Sequence, residues 1–225
     1  MNFVDPNGAS TLVVQNADSS YTVVGGNLLD YDRNIYLCVI GEDGNYIQGN
    51  SIGITTSISS FYDSDSKVWT GTINPNDLSG DSFLNDFLKG NTPTLFDYMF
   101  KANNDEFYDF KISNGTFDTS DDNQDVYRGM PIGQTSNGQV IYSSARDIGN
   151  IAAGYIAGIH GISWLSSRLA FDFLQTRTAI RKNKRFCISI EGISSRNAQY
   201  YGWRLGTNNS SPVSQSRNIQ RSLRF

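Results

Sequence analysis

The sequence predicts an α+β fold, with a β-rich N-terminal module followed by a mainly helical C-terminal domain. Short runs of β-branched and aromatic residues, separated by turn residues, fill positions 11–72, which is typical of strands. The longest run with helical periodicity lies at 144–175. The net charge also differs between the two halves of the chain, on either side of residues 125 and 126. Residues 1–125 hold 5 Lys+Arg and 19 Asp+Glu, a net charge of −14, and residues 126–225 hold 13 and 3, a net charge of +10.

The N-terminal module is predicted to contain five strands and then two helices. The strand candidates are the runs TLVVQ, YTVVG, NIYLCVI, YIQG and KVWTGTI. Phe and Leu at helical spacing then predict helices at 82–89 and 94–101, with the aromatic side chains in the core. Nothing in residues 11–101 suggests catalysis, so we interpret this part as a carrier module.

The C-terminal domain is predicted to begin with a strand at 107–111, on which Asp109 and Lys111 point to the same side. The polar segment 113–125 has no periodicity, which indicates a surface loop or a linker. Helices are predicted at 145–159, 163–176 and 195–205. A basic loop and a short strand at 186–190 precede the last helix.

Two polar stripes on these helices allow two interpretations each. Asp147, Asn150, Gly154 and Gly158 fall on one face of the first helix. Glycine is unfavourable in a helix by about 1 kcal/mol relative to alanine, so the pair indicates either close packing against another helix or a cleft for a substrate backbone. Arg168 and Asp172 form an i,i+4 pair, which is either a surface ion pair or part of a site.

Cysteine content and hydropathy limit the possible classes of protein. Cys38 and Cys187 are far apart and lack metal-ligand spacing, and the sequence neither requires nor excludes a disulfide between them. No apolar run approaches the ~20 residues that span a bilayer, so we expect no stable membrane insertion. The basic half favours a polyanionic partner, nucleic acid before anionic lipid, unless the acidic half folds against it and neutralises it.

Several phrases of the sequence resemble known toxin proteins. The opening NFVDPNG, residues 2–8, resembles the end of an Rhs/YD-repeat core. The phrases FYDFK (107–111), YRGMPI (127–132), SARDIGNIAAGYIAG (144–158), GISWLSSRLAFD (161–172) and SSRNAQYYGWRLG (194–206) resemble the bacterial toxin 44 family of polymorphic toxins. The resemblance implies an Rhs-core remnant at 1–10, a pre-toxin module at 11–106 and an effector domain at 107–225.

The resemblance also implies a function and a set of partners. Toxins of this family are described as predicted ribonucleases that an immunity protein counters. We therefore expect an RNA substrate and an acidic immunity protein that covers the basic face, the surface formed by residues 126–225. We also expect release from the producer cell into the cytoplasm of a target bacterium.

The candidate site residues are the charged and polar positions inside the matching phrases. RNA cleavage through the 2′-hydroxyl needs a base, an acid and cations on the phosphoryl oxygens, and the chain has one histidine, so carboxylates or a lysine must transfer protons. The predicted catalytic residues are Asp147, Asn150, Arg146, Arg168, Asp172, Asp109 and Lys111. The predicted substrate-binding residues are Gly154, Gly158, Arg196, Gln199 and Arg204.

Three questions stay open at the level of sequence. Asp147 fits the role of catalytic base, but it also fits that of a carboxylate at a helix N-terminus. A metal site stays unassigned, although Asp109, Asp147 and Asp172 could bind magnesium, and no cofactor is assigned. The alternative function is a peptidoglycan hydrolase in the periplasm, in which Asp147 and Glu191 act as paired carboxylates on a glycosidic bond.

Overall fold

Seven strands close into a barrel, and the helices pack on one another beside it, three of them between β7 and β8 in the chain and three after β9. The computed structural model describes residues 11–29, 31–42, 44–88, 92–102, 107–113, 126–183 and 192–210. The strands are β1 Thr11–Gln15, β2 Tyr21–Gly25, β3 Asn34–Ile40, β4 Tyr46–Thr55, β5 Tyr62–Asp63, β6 Val68–Trp69, β7 Thr72–Ile73, β8 Gly129–Gln134 and β9 Val140–Ser144. The helices are α1 Ser79–Leu88, α2 Leu95–Lys101, α3 Phe110–Ser113, α4 Ala145–Ile159, α5 Trp164–Asn183 and α6 Ile193–Ser210.

The barrel follows the order β1-β2-β7-β8-β9-β4-β3, and parallel pairing of β1 with β3 closes it. Strands β5 and β6 form a separate two-stranded sheet. Alternation along the strands turns one set of side chains inward, where Val13, Ile35, Ile73 and Tyr142 form a buried cluster with Phe61 from the turn before β5. The expected α+β class, with strands early in the chain and helices late, is confirmed.

Strands from both sides of the predicted boundary at 106/107 belong to this barrel. Strand β8 pairs with β7, and β9 pairs with β4. A second buried cluster likewise joins Phe83 and Tyr98 of the N-terminal part to Ile148 and Ile156 of helix α4. The pre-toxin module and the effector domain that the sequence suggested therefore share one sheet and one core.

Helix α4 has the bounds that its sequence predicts. The Ser144 side chain accepts a hydrogen bond from the Asp147 backbone N–H and caps the first turn. The helix ends at Ile159, immediately before His160 and Gly161. Helices α5 and α6 are longer than the predicted spans of 163–176 and 195–205.

The predicted strand at 107–111 is wrong, because this segment turns into helix α3. The Asp109 carbonyl oxygen accepts hydrogen bonds from the N–H groups of Ile112 and Ser113. The Arg128 guanidinium donates to the carbonyl oxygens of Phe110 and Lys111, both at 2.9 Å. A partner distant in the sequence thus satisfies carbonyl groups at the end of the short helix.

The close-packing interpretation of the glycine stripe on α4 is the one that the structure bears out. A Cβ atom at Gly154 would overlap the Gln199 carbonyl oxygen, and one at Gly158 would overlap that of Trp203. Gly202 and Gly206 of α6 meet the backbone of α4 in the same way. The prediction that Gly154 and Gly158 form the floor of a substrate cleft is wrong, since the α6 backbone occupies that space.

Some sequence predictions lie outside the described residues. These are the Rhs-core remnant at 1–10, residues 114–125 of the predicted loop or linker at 113–125, the strand at 186–190, Glu191 and Cys187. Ser113, the first residue of that loop or linker, is instead the last residue of α3. Cys38 is buried, and its thiol donates to the Tyr36 carbonyl oxygen with Sγ at 3.7 Å. Among the helices of the described part, none combines the length and the apolar character needed to cross a bilayer.

Candidate functional site

Helices α2 to α6 surround a cavity of about 180 Å³. Its polar lining residues are Asp109, Lys111, Arg146, Asn150, Ser167 and Gln199. Its walls are otherwise apolar or aromatic, and they include Leu95, Tyr98, Met99, Tyr108, Ile162 and Phe171. A concave apolar surface with a few convergent polar groups is the usual form of a ligand site, and drug-sized ligands need about 300–1,000 Å³. This cavity therefore suits one group of a larger substrate.

Asp109 and Lys111 form the charged part of the cavity. The Lys111 ammonium lies 3.9 Å from a carboxylate oxygen of Asp109. Asp109 is 9% exposed, whereas the Lys111 side chain is 45% exposed. Burial raises the pKa of the neighbouring Tyr98 phenol, and the negative charge of Asp109 raises it further. The cavity therefore holds a sheltered carboxylate beside a lysine that solvent can reach.

A chain of hydrogen bonds connects helix α5 to the cavity through helix α6. The buried Arg168 donates to the side-chain oxygen of Gln199 at 2.5 Å and to Asp172 at 2.5 Å. Gln199 in turn donates from its amide nitrogen to Asn150 Oδ1 at 3.1 Å. The Arg168 guanidinium also lies over the Trp164 ring, 5.9 Å from its centroid. The Arg168–Asp172 pair is thus anchored inside the helix cluster, and Arg168 is only 8% exposed.

The face of α4 that lines the cavity differs from the predicted one. It carries Arg146, Gly149, Asn150, Ala153 and Ala157. The predicted stripe of Asp147, Asn150, Gly154 and Gly158 shares only Asn150 with this set. At 100° per residue the two stripes are neighbours on the helix surface, so the helical period alone does not distinguish them.

Asp147 lies on the side of α4 that faces Ser60 and is 0% exposed. Its carboxylate accepts a hydrogen bond from the Ser60 hydroxyl at 2.7 Å and one from Arg146 Nε at 3.0 Å. Burial raises the pKa of Asp147, and the Arg146 charge and the Ser60 hydroxyl offset part of the rise. Asp147 does not line the cavity, and its burial and hydrogen bonds indicate a structural role, so its predicted role as catalytic base is not supported.

Arg146 borders the cavity, but its guanidinium is engaged elsewhere. Each of the five N–H donors of an arginine has an acceptor here. The acceptors are the Asp147 carboxylate, the Tyr127 hydroxyl and the backbone carbonyls of Ser59, Ser60 and Tyr62. The predicted role of Arg146 as a phosphate-binding cation is therefore not supported, because this side chain fastens α4 to Tyr127 and to the segment 59–62 that follows β4.

The remaining predicted residues are divided between the cavity and the surface. Gln199, predicted to bind substrate, lines the cavity, whereas Arg196 and Arg204 of α6 are exposed and do not. Arg168 and Asp172, predicted to be catalytic, stand behind Gln199 rather than in the cavity.

The sequence analysis did not identify the aromatic walls of the cavity, nor Ser60 as the hydrogen-bond partner of Asp147. Tyr98 and Tyr108 stack with ring centroids 5.3 Å apart, and Tyr98 donates a hydrogen bond to the Gly149 carbonyl. Nothing in the sequence distinguishes these rings from core aromatics. Ser60 did leave a signal, because it ends the run TTSISS at 55–60, and buried hydroxyl groups need polar partners.

The cavity offers one carboxylate, one ammonium and two side-chain amides. This set can transfer a proton, neutralise an anion and bind a polar planar group. Within the part of the chain that the structure describes, no three or more His, Cys, Asp or Glu side chains come together as a metal site.

Comparisons with known proteins add no relative. No protein-family model matches the chain, and it has no match among curated proteins or solved structures.

Proposed function

We propose that the chain is an antibacterial toxin with ribonuclease activity, and that the cavity surrounded by α2 to α6 is its active site. The main support is that Asp109, Asn150 and Gln199, from three separate phrases that resemble the toxin 44 family, line one cavity, as does Lys111. Surface residues that share no task would not be expected to converge on a pocket with apolar walls.

The polar groups of the cavity match the needs of RNA cleavage through the 2′-hydroxyl. A base takes the 2′-hydroxyl proton, the freed oxygen attacks phosphorus, and the bond to the 5′-oxygen breaks as that oxygen receives a proton. We assign the base to the Asp109 carboxylate. The Lys111 ammonium, 3.9 Å away, would neutralise the phosphoryl oxygens and give its proton to the departing 5′-oxygen.

Incubation of the full chain with total bacterial RNA tests this assignment. The wild type should cut RNA, and Asp109→Asn and Lys111→Met should each lower the rate by about a hundredfold or more, the scale of general acid–base catalysis. Asp86→Asn is the matched control, because Asp86 is an exposed carboxylate on α1. Addition of EDTA reports whether cleavage needs a metal. A folded Asp109→Asn protein that cuts at the wild-type rate would remove the assignment.

The proposed function implies two partners and a place of action. RNA should bind the basic half, with an affinity that falls steeply as salt increases, because each neutralised phosphate releases counterions. Filter binding between about 50 and 200 mM salt measures this effect. We also propose that an acidic immunity protein covers the basic face, and that the toxin is secreted or delivered from its producer into the cytoplasm of a target bacterium.

Inducible expression of the full chain with and without an export signal separates the proposal from an envelope hydrolase. Toxicity confined to the cytoplasm supports a ribonuclease, and toxicity confined to the periplasm supports a peptidoglycan hydrolase. No structural observation favours the hydrolase, since Asp147 does not line the cavity and Glu191 lies outside the described residues.

A further inference from the structure

The hydrogen-bond chain behind the cavity fixes the direction of two side-chain amides. An arginine has only N–H donors, so Gln199 must present its oxygen to Arg168. Its amide nitrogen is then the atom that faces Asn150, where it donates to Oδ1. Asn150 therefore has its oxygen engaged and its NH₂ group left for other partners.

The Asn150 NH₂ group belongs to a cavity that suits a planar ring. It donates to none of the described residues. Asn150 lines the cavity together with Tyr98, Tyr108, Met99 and Phe171. Proteins that read single-stranded RNA commonly place a base against such aromatic surfaces and bind its edge by hydrogen bonds. A phosphate would instead be drawn to Lys111, whose side chain is half-exposed.

We propose that Arg168, acting through Gln199, orients Asn150 to select a nucleobase with an oxo group, uracil or guanine, over one with an amino group. An NH₂ group donates to the O4 of uracil or the O6 of guanine, whereas cytosine and adenine present an NH₂ group at the same position. This inference rests on the proposed ribonuclease function. Asn150 is the group that contacts the base, and Arg168 and Gln199 are positioning residues.

Gln199→Glu provides a direct test. It reverses which group donates between residues 199 and 150, and it nearly preserves the shape of the side chain. One carboxylate oxygen of the new side chain accepts from Arg168, and the other can only accept from Asn150. The Asn150 amide must then turn its NH₂ towards residue 199 and its oxygen towards the cavity. Asn150→Asp reaches the same result independently, because a carboxylate offers only acceptors.

Cleavage of poly(U) and poly(C) by the full chain measures the preference, because the two bases differ at the position that Asn150 contacts. The wild type should favour poly(U) by at least about tenfold in kcat/KM. Gln199→Glu and Asn150→Asp should both favour poly(C). Gln199→Met, which removes both hydrogen bonds, should abolish the preference without reversing it. If the hydrogen-bond chain had a purely structural role, each variant would lower the melting temperature of the protein and change its rates on poly(U) and poly(C) by the same factor.

Calorimetric binding of 3′-UMP and 3′-CMP separates failure of this inference from failure of the proposed function. Cleavage of both polymers at equal rates, or a preference that both acidic variants leave intact, overturns the inference while the ribonuclease function stands. Absence of cleavage, together with tighter binding of 3′-UMP that reverses in Gln199→Glu, supports the base preference and overturns the ribonuclease. Absence of both cleavage and binding overturns the two together.

Discussion

The Asp147 carboxylate has no solvent contact and ties helix α4 to Ser60, in the turn after β4. In an Asp147→Ala variant, the Ser60 hydroxyl and Arg146 Nε both lose their acceptor. A buried donor without a partner costs about 1–3 kcal/mol, so we expect the free energy of unfolding to fall by about 3 kcal/mol. Urea denaturation measures it. Asp86→Ala, on the exposed face of α1, should stay within about 0.5 kcal/mol of the wild type, and equal midpoints for the two variants would contradict the structural role.

The raised pKa of Asp147 predicts how stability depends on pH. Burial lifts the folded-state pKa above the unfolded value of about 3.9, so the folded protein holds this proton to higher pH than the unfolded chain does. The contribution of Asp147 to stability is therefore greatest below about pH 4 and is lost as pH rises through the folded-state pKa. Asp147→Asn removes that titration.

Unfolding free energies of the wild type and Asp147→Asn, measured at intervals from pH 4 to 7, test this prediction. The wild-type value minus the variant value should decrease as pH increases. A difference that grows with pH would mean that the attraction of Arg146 outweighs burial, and that the folded-state pKa is lowered.

At the scale of elements, helix α4 contains its own matched pair of glycines. Both Gly149 and Gly154 lie inside the helix. A Cβ atom at Gly149 would meet nothing within 4 Å, whereas one at Gly154 would overlap the α6 backbone. Alanine is more favourable than glycine in a helix by about 1 kcal/mol. We therefore expect Gly149→Ala to stabilise the protein by up to that amount, and Gly154→Ala to destabilise it by about 2 kcal/mol or more because the helices must separate.

Thermal melting of the two variants checks the opposite signs. Were Gly154 at the floor of an open cleft, both substitutions would stabilise the protein. A Gly154→Ala variant that melts above the wild type would thus restore the cleft interpretation and remove the close contact between α4 and α6.

The sequence was sufficient for elements whose signals are local. Ser144 at the start and His160-Gly161 at the end bracket α4, and apolar periodicity between them predicted its bounds. Segment 107–111 is too short for such a signal, and helix α3, which begins within it, is held by Arg128 from another part of the chain. The candidate site is likewise predictable only where its signals are local. Asn150 lies on both possible stripes of α4, but the choice between Asp147 and Arg146 depends on where α6 and the barrel pack.

At the scale of the whole molecule, the sequence located a boundary that the barrel crosses. The family resemblance places this boundary at 106/107 and the net charge changes sign at 125/126, yet strands β8 and β9 fill the gap between β7 and β4. Pairing between distant strands leaves little trace in local composition, so neither the resemblance nor the charge could reveal the shared barrel. The cavity crosses the same boundary, with Tyr98 on one side and Asn150 on the other.

This shared barrel predicts that residues 107–225 do not fold alone. In that fragment β8 and β9 lose both neighbouring strands, and Ile148 and Ile156 lose Phe83 and Tyr98 from their cluster. A two-stranded ribbon is at best marginally stable by itself. We expect the fragment to lack a cooperative thermal transition by circular dichroism, while residues 1–225 melt in a cooperative transition. Mixing fragments 1–106 and 107–225 should restore some structure if the barrel reassembles. A fragment that melts cooperatively without 1–106 would show that the boundary at 106/107 does separate two folding units.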